Sequence, residues 1–206
     1  LKNLPKKLFK KVCYKEKFLD IGIPKDFNRA EKFLNKTFKR KCVFLDRDGV
    51  INYDYGYVYK KKDFKWKKNV IPAIRLLNKN GYLVIVVSNQ SGVGRGFYSV
   101  DDVSKLHIWI NKQLFSKGAY IDKFYFSPFY KNSYYKKFRI GGEYRKPNIG
   151  MFNKAVRDFK IDKKISYFIG DKDSDKNAAK KFKIKYYNVD NNTDLYNLIK
   201  NKLNIN

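Results

Sequence analysis

The sequence predicts an α/β domain in which helices cover both faces of a Rossmann-like parallel sheet. From about residue 40 onward, short apolar runs of strand length alternate with longer segments whose apolar residues have helical spacing. The runs are continuously apolar instead of alternating with polar residues. This pattern is typical of strands that are buried on both sides by crossover helices.

Five apolar runs are the predicted strands, in chain order KCVFLD (41–46), YLVIVVS (82–88), KFYFS (123–127), SYFIG (166–170) and IKYYNV (184–189). Two intervening segments predict covering helices, IPAIRLLNKNG (71–81) and DDVSKLHIWINKQLF (101–115). Ligands of open parallel sheets bind outside the carboxyl ends of the strands. The polar residues that follow the strands are therefore the candidate site.

Composition limits the class of protein. The chain has 206 residues, a size that fits one domain with an appendage, and its 43% hydrophobic content excludes a disordered chain. The formal net charge is +28, but the lysines are spread over the whole length without an arginine-rich stripe. We therefore expect no nucleic-acid partner, with a basic binding module kept as an alternative. Two cysteines and no membrane-length apolar stretch favour a cytoplasmic protein without membrane contact.

Carboxylates follow two of the predicted strands: Asp46 and Asp48 in FLDRDGVIN, and Asp171 and Asp175 in GDKDSD. A carboxylate can attack a phosphoryl group when a divalent cation neutralises both charges, and a second carboxyl group can protonate the leaving oxygen. The spacing predicts Asp46 as the nucleophile and Asp48 as the general acid and then the general base.

The same pattern predicts the rest of the catalytic set. Mg²⁺ prefers an all-oxygen site, and we expect its ligands to be Asp46, Asp48, Asp171 and Asp175. Ser88, after the second strand, would donate its hydroxyl to the phosphoryl oxygens. Lys146, in YRKPNIGM, would offset the negative charge that spreads over the transition state.

Five motifs in this order resemble the haloacid dehalogenase superfamily of phosphohydrolases, and more narrowly its heptose bisphosphate and histidinol phosphate phosphatase branch. They are FLDRDGVIN, DYGYV (54–58), SNQSGVGRG (88–96), RKPNIGM (145–151) and GDKDSD. The resemblance implies a HAD-like fold with short loop insertions instead of a large cap, and hence a small substrate. It also implies that substrate or phosphate contacts come from Asp54, Tyr55, Gly56, Tyr57, Ser88, Asn89, Gln90, Ser91, Arg145 and Lys172.

Two further residues have more than one interpretation. Arg95 is predicted to bind a phosphate because its glycine-flanked loop follows the Ser-Asn-Gln cluster, although loop arginines are commonly only solvated. His107 lies on a predicted helix without a partner motif. We interpret it as a partly buried structural histidine and not as a catalytic one.

The segment before Arg145 departs from the pattern of the branch. Many members carry a zinc loop there, with a Cys-Pro-His start and a Cys-x-Cys end, whereas the ligand positions here hold Ser127, Phe129, Gly142 and Tyr144. We therefore expect no structural Zn²⁺. Aromatic packing is expected to replace the metal, through Phe129, Tyr134, Tyr135, Phe138 and Tyr144.

Residues 1–38 precede the predicted phosphatase domain, residues 39–206. Within them, FLDIGIPKDFNRAEKFL (18–34) resembles the closing segment of sugar-nucleotide nucleotidyltransferases. Together with a first residue other than Met, this indicates the remnant of such a domain, or association with one. The alternative is a basic extension that packs on the phosphatase. A remnant would leave four apolar residues poorly buried, Phe18, Leu19, Ile21 and Ile23.

These expectations combine into one predicted activity. Nucleotidyl transfer and phosphate removal are adjacent steps in making nucleotide-activated heptose for capsule, lipopolysaccharide or S-layer, which favours a heptose substrate. We predict a Mg²⁺-dependent phosphatase that removes the 7-phosphate of a heptose 1,7-bisphosphate through an aspartyl-phosphate. Histidinol phosphate or another small phosphomonoester is the alternative substrate. A nucleic-acid-binding module with lapsed catalysis is the alternative of another class.

Overall fold

The computed structural model describes residue 30 and residues 39–205. The chain divides into two compact units, Leu1–Phe38 and Lys39–Asn206. The nucleotidyltransferase-like segment and the predicted exposure of its apolar residues lie outside the described residues. The fold below is that of the second unit.

Five strands form one parallel sheet, each at its predicted position. They are β1 (Cys42–Leu45), β2 (Leu83–Asn89), β3 (Lys123–Ser127), β4 (Tyr167–Gly170) and β5 (Lys185–Asn188). The strand order is β3-β2-β1-β4-β5, and every neighbouring pair is parallel. The predicted α/β, Rossmann-like fold is confirmed.

Six helices of the described part connect or follow the strands. They are α1 (Val70–Lys79), α2 (Ser91–Gly94), α3 (Val100–Phe115), α4 (Gly150–Phe159), α5 (Asp173–Phe182) and α6 (Leu195–Leu203). Helix α3 begins with a capping box, in which the Ser99 hydroxyl accepts from the Asp102 backbone and the Asp102 carboxylate accepts from the Ser99 backbone. Among the described residues, none of the helices has the length and apolar character needed to cross a bilayer.

The alternation of side chains along β1 separates the two apolar cores. Val43 and Leu45 point to the side that α1, α3 and α6 cover, and Cys42 and Phe44 point to the side of α4 and α5. All four side chains are fully buried. The continuous apolar run of β1 is therefore required, because neither face of this central strand meets water.

The strand order places a crevice at the middle of the sheet. Strand β1 pairs with β2 on one side and with β4 on the other, so successive crossovers leave it in opposite directions. Such a switch point opens a crevice at the carboxyl ends of the two strands. Asp46 follows β1 and Asp171 follows β4, so the fold brings the two predicted carboxylate motifs to this crevice.

Aromatic rings fill the core beneath β1. The Phe44 ring lies 5.1 Å from that of Phe152 on α4 and 6.2 Å from that of Phe182 on α5. Phe152 also meets Phe168 of β4 edge to face, with centroids 5.0 Å apart. The Phe44 side chain thus packs β1 against both α4 and α5.

We expect Phe44→Ala to lower the free energy of unfolding by about 3–5 kcal/mol, because removal of the ring leaves a cavity between the strand and two helices. Denaturant unfolding followed by circular dichroism measures the change. Ile140→Ala is the control, since Ile140 is 81% exposed and its truncation should change stability by about 0.5 kcal/mol or less. Equal effects of the two substitutions would contradict this description of the core.

Candidate active site

Asp46 is fixed between the two central strands. It is the first residue after β1, and its backbone N–H donates to the carbonyl of Ile169 in β4, 3.0 Å away. Its carboxylate accepts a hydrogen bond of 2.7 Å from the backbone N–H of Arg47. The side chain is 7% exposed. A carboxylate held in this way has little freedom to turn away from a group bound in the crevice.

A buried ammonium group joins two of the carboxylates. Lys146 Nζ lies 2.9 Å from Asp46 Oδ2 and 2.7 Å from Asp175 Oδ1, and the residue is 2% exposed. Burial opposes the charge of Lys146, but the two carboxylates outweigh it and raise the lysine pKa. For Asp46, burial dominates over Lys146, and repulsion from Asp175 and Asp48 adds to it, which raises the pKa of Asp46 to about 7.

Asn89 fixes the backbone of Lys146. Its amide donates to the Lys146 carbonyl and accepts from the Lys146 N–H, both at 3.0 Å. This pair joins the end of β2 to the segment that leads into α4. The side chain of Asn89 therefore supports the position of the lysine in addition to lining the cleft described below.

Three carboxylates form a cluster that could hold a metal ion. Oxygens of Asp46, Asp171 and Asp175 lie within 4.8 Å of one another. Asp175 also accepts from the backbone N–H groups of Asp171 and Lys172, at 3.2 Å each, at the start of α5. Oδ1 of Asp171 is buried without a hydrogen-bond partner among the described residues. Burial raises the pKa of Asp171, and Asp175 adds to the shift against the opposing charge of Lys172.

Two glycines give these carboxylates their space. Gly49 has a φ of +85°, and a Cβ atom there would overlap the carboxylate of Asp171. A Cβ atom at Gly170 would lie 2.5 Å from Cβ of Asp175.

An all-oxygen donor set with one unpartnered buried oxygen fits a hard divalent cation such as Mg²⁺. The fourth predicted ligand, Asp48, does not place its carboxylate in this cluster.

The Asp48 carboxylate is turned toward Arg47. Nη2 of Arg47 lies 2.9 Å from both Asp48 oxygens, and Asn52 Nδ2 and Gln90 Nε2 donate at 2.9 and 2.8 Å. Burial alone would raise the pKa of Asp48, but the Arg47 charge and these hydrogen bonds hold it below its ordinary value. This geometry favours the ionised form, which is the form a general base requires. A bound phosphoryl group would raise the Asp48 pKa toward the form a general acid requires.

Arg47 is a site residue that the sequence analysis missed. It is fully buried, donates to the carbonyl of Val58, and places Nη1 3.4 Å from Nε2 of His107. The signal was available, because a cation between two aspartates at the end of an apolar strand needs a buried partner. His107 is 5% exposed and stacks on Phe124 at 4.3 Å. Burial and then the Arg47 charge lower the pKa of His107 well below its usual range.

A cleft of about 310 Å³ opens beside Asp48 and Lys146. Of the eleven residues predicted to contact substrate or its phosphates, eight line it: Asp54, Gly56, Tyr57, Asn89, Gln90, Ser91, Arg145 and Lys172. Lys172 Nζ pairs with Asp54 Oδ2 at 2.7 Å. Burial lowers the pKa of Lys172, but the bond to Asp54 and nearby carboxylates outweigh it and raise that pKa. The lining also includes Tyr98 and Ser174, which the sequence analysis did not single out.

Other predicted residues lie below or outside the cleft. Ser88 is 1% exposed, and its Oγ accepts from Gln90 Nε2 at 2.8 Å. Tyr55 is 60% exposed and lines a neighbouring depression. The guanidinium of Arg95 stacks on the Tyr130 ring at 3.9 Å. The sequence left open whether Arg95 binds a phosphate or is only solvated. In the structure it also has a packing partner, Tyr130.

The loop that departs from the zinc pattern contains packed rings. Phe129 lies 6.4 Å from Tyr144 and packs on Gly141, where a Cβ atom would overlap its ring. Tyr135 contacts Phe138 at 6.1 Å and Tyr134 at 5.5 Å. All five predicted aromatic residues thus make ring contacts, although Tyr134 is 84% exposed. The absence of a structural zinc ion stays a prediction.

Comparison with known proteins supplies the family. Residues 42–198 match the family model described as polynucleotide kinase 3 phosphatase. The chain is 42% identical over 142 residues to D-glycero-beta-D-manno-heptose-1,7-bisphosphate 7-phosphatase of Rhodopseudomonas palustris, covering 69% of this chain and 79% of that protein. It is 41% identical over 141 residues to D-glycero-alpha-D-manno-heptose-1,7-bisphosphate 7-phosphatase of Burkholderia mallei, covering 68% of this chain and 75% of that protein.

A solved structure gives the same result. The D,D-heptose 1.7-bisphosphate phosphatase from B. bronchiseptica, complexed with magnesium and phosphate, aligns with a TM-score of 0.64 at 26% identity. The alignment covers 72% of this chain and 79% of that one. The resemblance found in the sequence motifs is confirmed. The chain belongs to the haloacid dehalogenase superfamily, to the family that the polynucleotide kinase 3 phosphatase model describes, and to the heptose bisphosphate phosphatase branch.

Proposed function

We propose that this chain is a Mg²⁺-dependent phosphoric monoester hydrolase that removes the 7-phosphate of a heptose 1,7-bisphosphate. The observation that carries the proposal is the buried cluster of Asp46, Asp171 and Asp175, with Lys146 between two of its members, at a small cleft. Its curated relatives are named for this activity.

We also propose a cytoplasmic location, which fits the free, buried thiol of Cys42.

The first half of the reaction transfers the phosphoryl group to the protein. An Asp46 oxygen attacks phosphorus, and the bond between phosphorus and the sugar oxygen breaks. The Asp48 carboxyl group gives its proton to that oxygen, which leaves as the sugar hydroxyl. The products are an aspartyl-phosphate and an ionised Asp48, the form that its contacts with Arg47 stabilise.

The second half returns the protein to its starting state. Asp48 takes a proton from a water molecule, the water oxygen attacks phosphorus, and the bond between phosphorus and Asp46 breaks. Inorganic phosphate leaves, and Asp48 is protonated again. Lys146 and the Ser88 hydroxyl face the phosphoryl oxygens in both halves and offset their negative charge.

The oxygen ligands of the carboxylate cluster favour Mg²⁺. Asp46, Asp171 and Asp175 would hold Mg²⁺, which when bound neutralises charge on the nucleophile and on the phosphoryl group. Without a cation, burial and mutual repulsion favour a protonated Asp46, whose pKa is raised to about 7. A divalent cation beside Lys146 would lower that pKa and favour the ionised nucleophile.

The cleft favours a second anionic group on the substrate. Arg145 and Lys172 both line it, beyond the lysine that serves the reacting phosphate. Burial and then the nearby Arg95 lower the pKa of Arg145, so an anion bound there would relieve repulsion between the two guanidinium groups. A bisphosphate fits this charge distribution better than histidinol phosphate does.

A substrate panel tests the proposal. Phosphate release is measured for both anomers of heptose 1,7-bisphosphate, for histidinol phosphate and for a simple aryl phosphate, beside a DNA-binding titration at several salt concentrations. We expect the highest kcat/KM for one heptose bisphosphate anomer. Equal rates on all compounds would contradict the substrate assignment. No turnover together with salt-dependent DNA binding would favour the lapsed, nucleic-acid-binding alternative.

We expect Asp46→Asn to lower kcat by at least about 10³-fold, because an amide cannot form the acyl-phosphate. Asp48→Asn should slow both halves by about 10²–10⁴-fold while substrate still binds. Steady-state kinetics and acid-quench trapping of labelled protein measure these effects. Asp158→Asn is the matched control, since Asp158 pairs with Lys154 on the surface of α4. Near-normal turnover by the Asp46 variant would refute the mechanism.

Metal dependence follows from the ligand chemistry. EDTA should abolish activity and Mg²⁺ should restore it, and Asp171→Asn should raise the half-saturating Mg²⁺ concentration by at least about tenfold. Elemental analysis of purified protein should find no stoichiometric zinc, because Ser127, Phe129, Gly142 and Tyr144 cannot form a tetrahedral site. One zinc ion per chain, or activity that survives EDTA, would contradict this account.

A further inference from the structure

We propose that Tyr98 is a positioning residue for the phosphatase reaction. Its hydroxyl fixes the side-chain amide of Gln90, and that amide in turn fixes Asp48 and Ser88. The inference rests on the proposed function, because the two fixed residues matter only if a phosphoryl group reacts between them. Tyr98 acts through Gln90 and takes no proton in the reaction.

The Gln90 amide uses every hydrogen-bonding position it has. Its Oε1 accepts from the Tyr98 hydroxyl at 2.9 Å and from Arg47 Nη2 at 3.3 Å. Its Nε2 donates to Asp48 Oδ2 and to Ser88 Oγ, both at 2.8 Å. An amide offers two acceptor positions and two donors, so all four are satisfied. The residue is 1% exposed, and water cannot easily replace a lost partner.

Only one orientation of this amide suits its surroundings. Rotation by half a turn would place the NH₂ group against the guanidinium of Arg47 and the oxygen against the carboxylate of Asp48. These two contacts would then join donor to donor and acceptor to acceptor, whereas the hydroxyls of Tyr98 and Ser88 could adapt to either orientation. Arg47 and Asp48 thus set the orientation of the amide, and the Tyr98 hydroxyl anchors its oxygen so that the donor end stays at the general acid–base group.

The position of the hydroxyl is itself fixed. Tyr98 is 7% exposed, and its ring stacks on that of Tyr59 with centroids 4.7 Å apart and an angle of 18°. Gly92, in α2, touches the ring so closely that a Cβ atom would overlap it. Burial raises the pKa of Tyr98 to about 12, so the hydroxyl stays protonated and can donate a hydrogen bond. The ring therefore serves as a rigid holder for one hydrogen-bond donor.

The chain of contacts also sets the direction of the Ser88 hydroxyl. Because Ser88 Oγ accepts from Gln90, its own hydrogen is directed away from the amide. Among the described contacts that hydrogen has no acceptor, so it is available for a phosphoryl oxygen. The tyrosine hydroxyl thus anchors the amide that contacts two groups of the proposed mechanism, the proton carrier Asp48 and the Ser88 hydroxyl.

Tyr98→Phe removes one oxygen atom and keeps the ring. We expect kcat on heptose 1,7-bisphosphate to fall about tenfold, with KM within about twofold and little change in melting temperature, because the amide loses one anchor while the fold and the cleft stay intact. Tyr59→Phe is the matched control. It removes a hydroxyl from the ring that stacks on Tyr98, outside the Gln90 chain, and should leave kcat unchanged.

A double-mutant cycle with Gln90→Ala decides whether Tyr98 acts through the amide. In the Gln90→Ala background, Tyr98→Phe should change kcat by less than about twofold, since the partner of the hydroxyl is already gone. Multiplicative losses, an effect confined to KM, or an unchanged kcat in Tyr98→Phe would each overturn the inference while the phosphatase assignment stands. If Tyr98→Phe melts far below the wild type, the cycle is run at a temperature where both fold. A wild-type protein without activity on any panel compound would refute the proposed function, and the positioning role with it.

Discussion

The site depends on one buried interaction, the Lys146 ammonium between the carboxylates of Asp46 and Asp175. Three acidic side chains lie within one small space at the centre of the sheet, and burial together with repulsion between them raises the pKa of Asp46 and of Asp171. Lys146 supplies part of the compensation from inside the protein. A divalent cation would supply the rest and favour the ionised form of the nucleophile. The other features of the site hold these groups at fixed distances.

The fold brings these groups together from distant parts of the chain. Asp46 follows β1, Ser88 lies in β2, and Asp171 follows β4, so three neighbouring strands each deliver one group to the same edge. Lys146 comes from the loop before α4, and the Asn89 amide at the end of β2 fixes its backbone. The switch in strand order at β1 leaves room there for a substrate. The same topology on a chain without these side chains would give a crevice and no chemistry.

Much of this could be predicted from the sequence, and the limits have a physical cause. All five strands were found because a strand buried on both faces must be continuously apolar, and that requirement is local. Three of the four carboxylates predicted as metal ligands lie together, because Asp46, Asp171 and Asp175 follow strands that end at the same edge of the sheet. Contacts between distant side chains were not found: Arg47 meets His107 60 positions away, and Arg95 stacks on Tyr130. Such partners depend on packing, and local sequence does not encode which side chains will meet.

The central claim is that Asp46 attacks phosphorus directly and that water attacks in a second step. Stereochemistry at phosphorus tests it, with a heptose substrate whose terminal phosphorothioate is made chiral by oxygen isotopes and is hydrolysed in isotopically labelled water. Each in-line displacement inverts the configuration. Two displacements through an aspartyl-phosphate predict overall retention in the released thiophosphate. Overall inversion would show a single direct attack by water and would contradict the account of why three carboxylates and a lysine share this site.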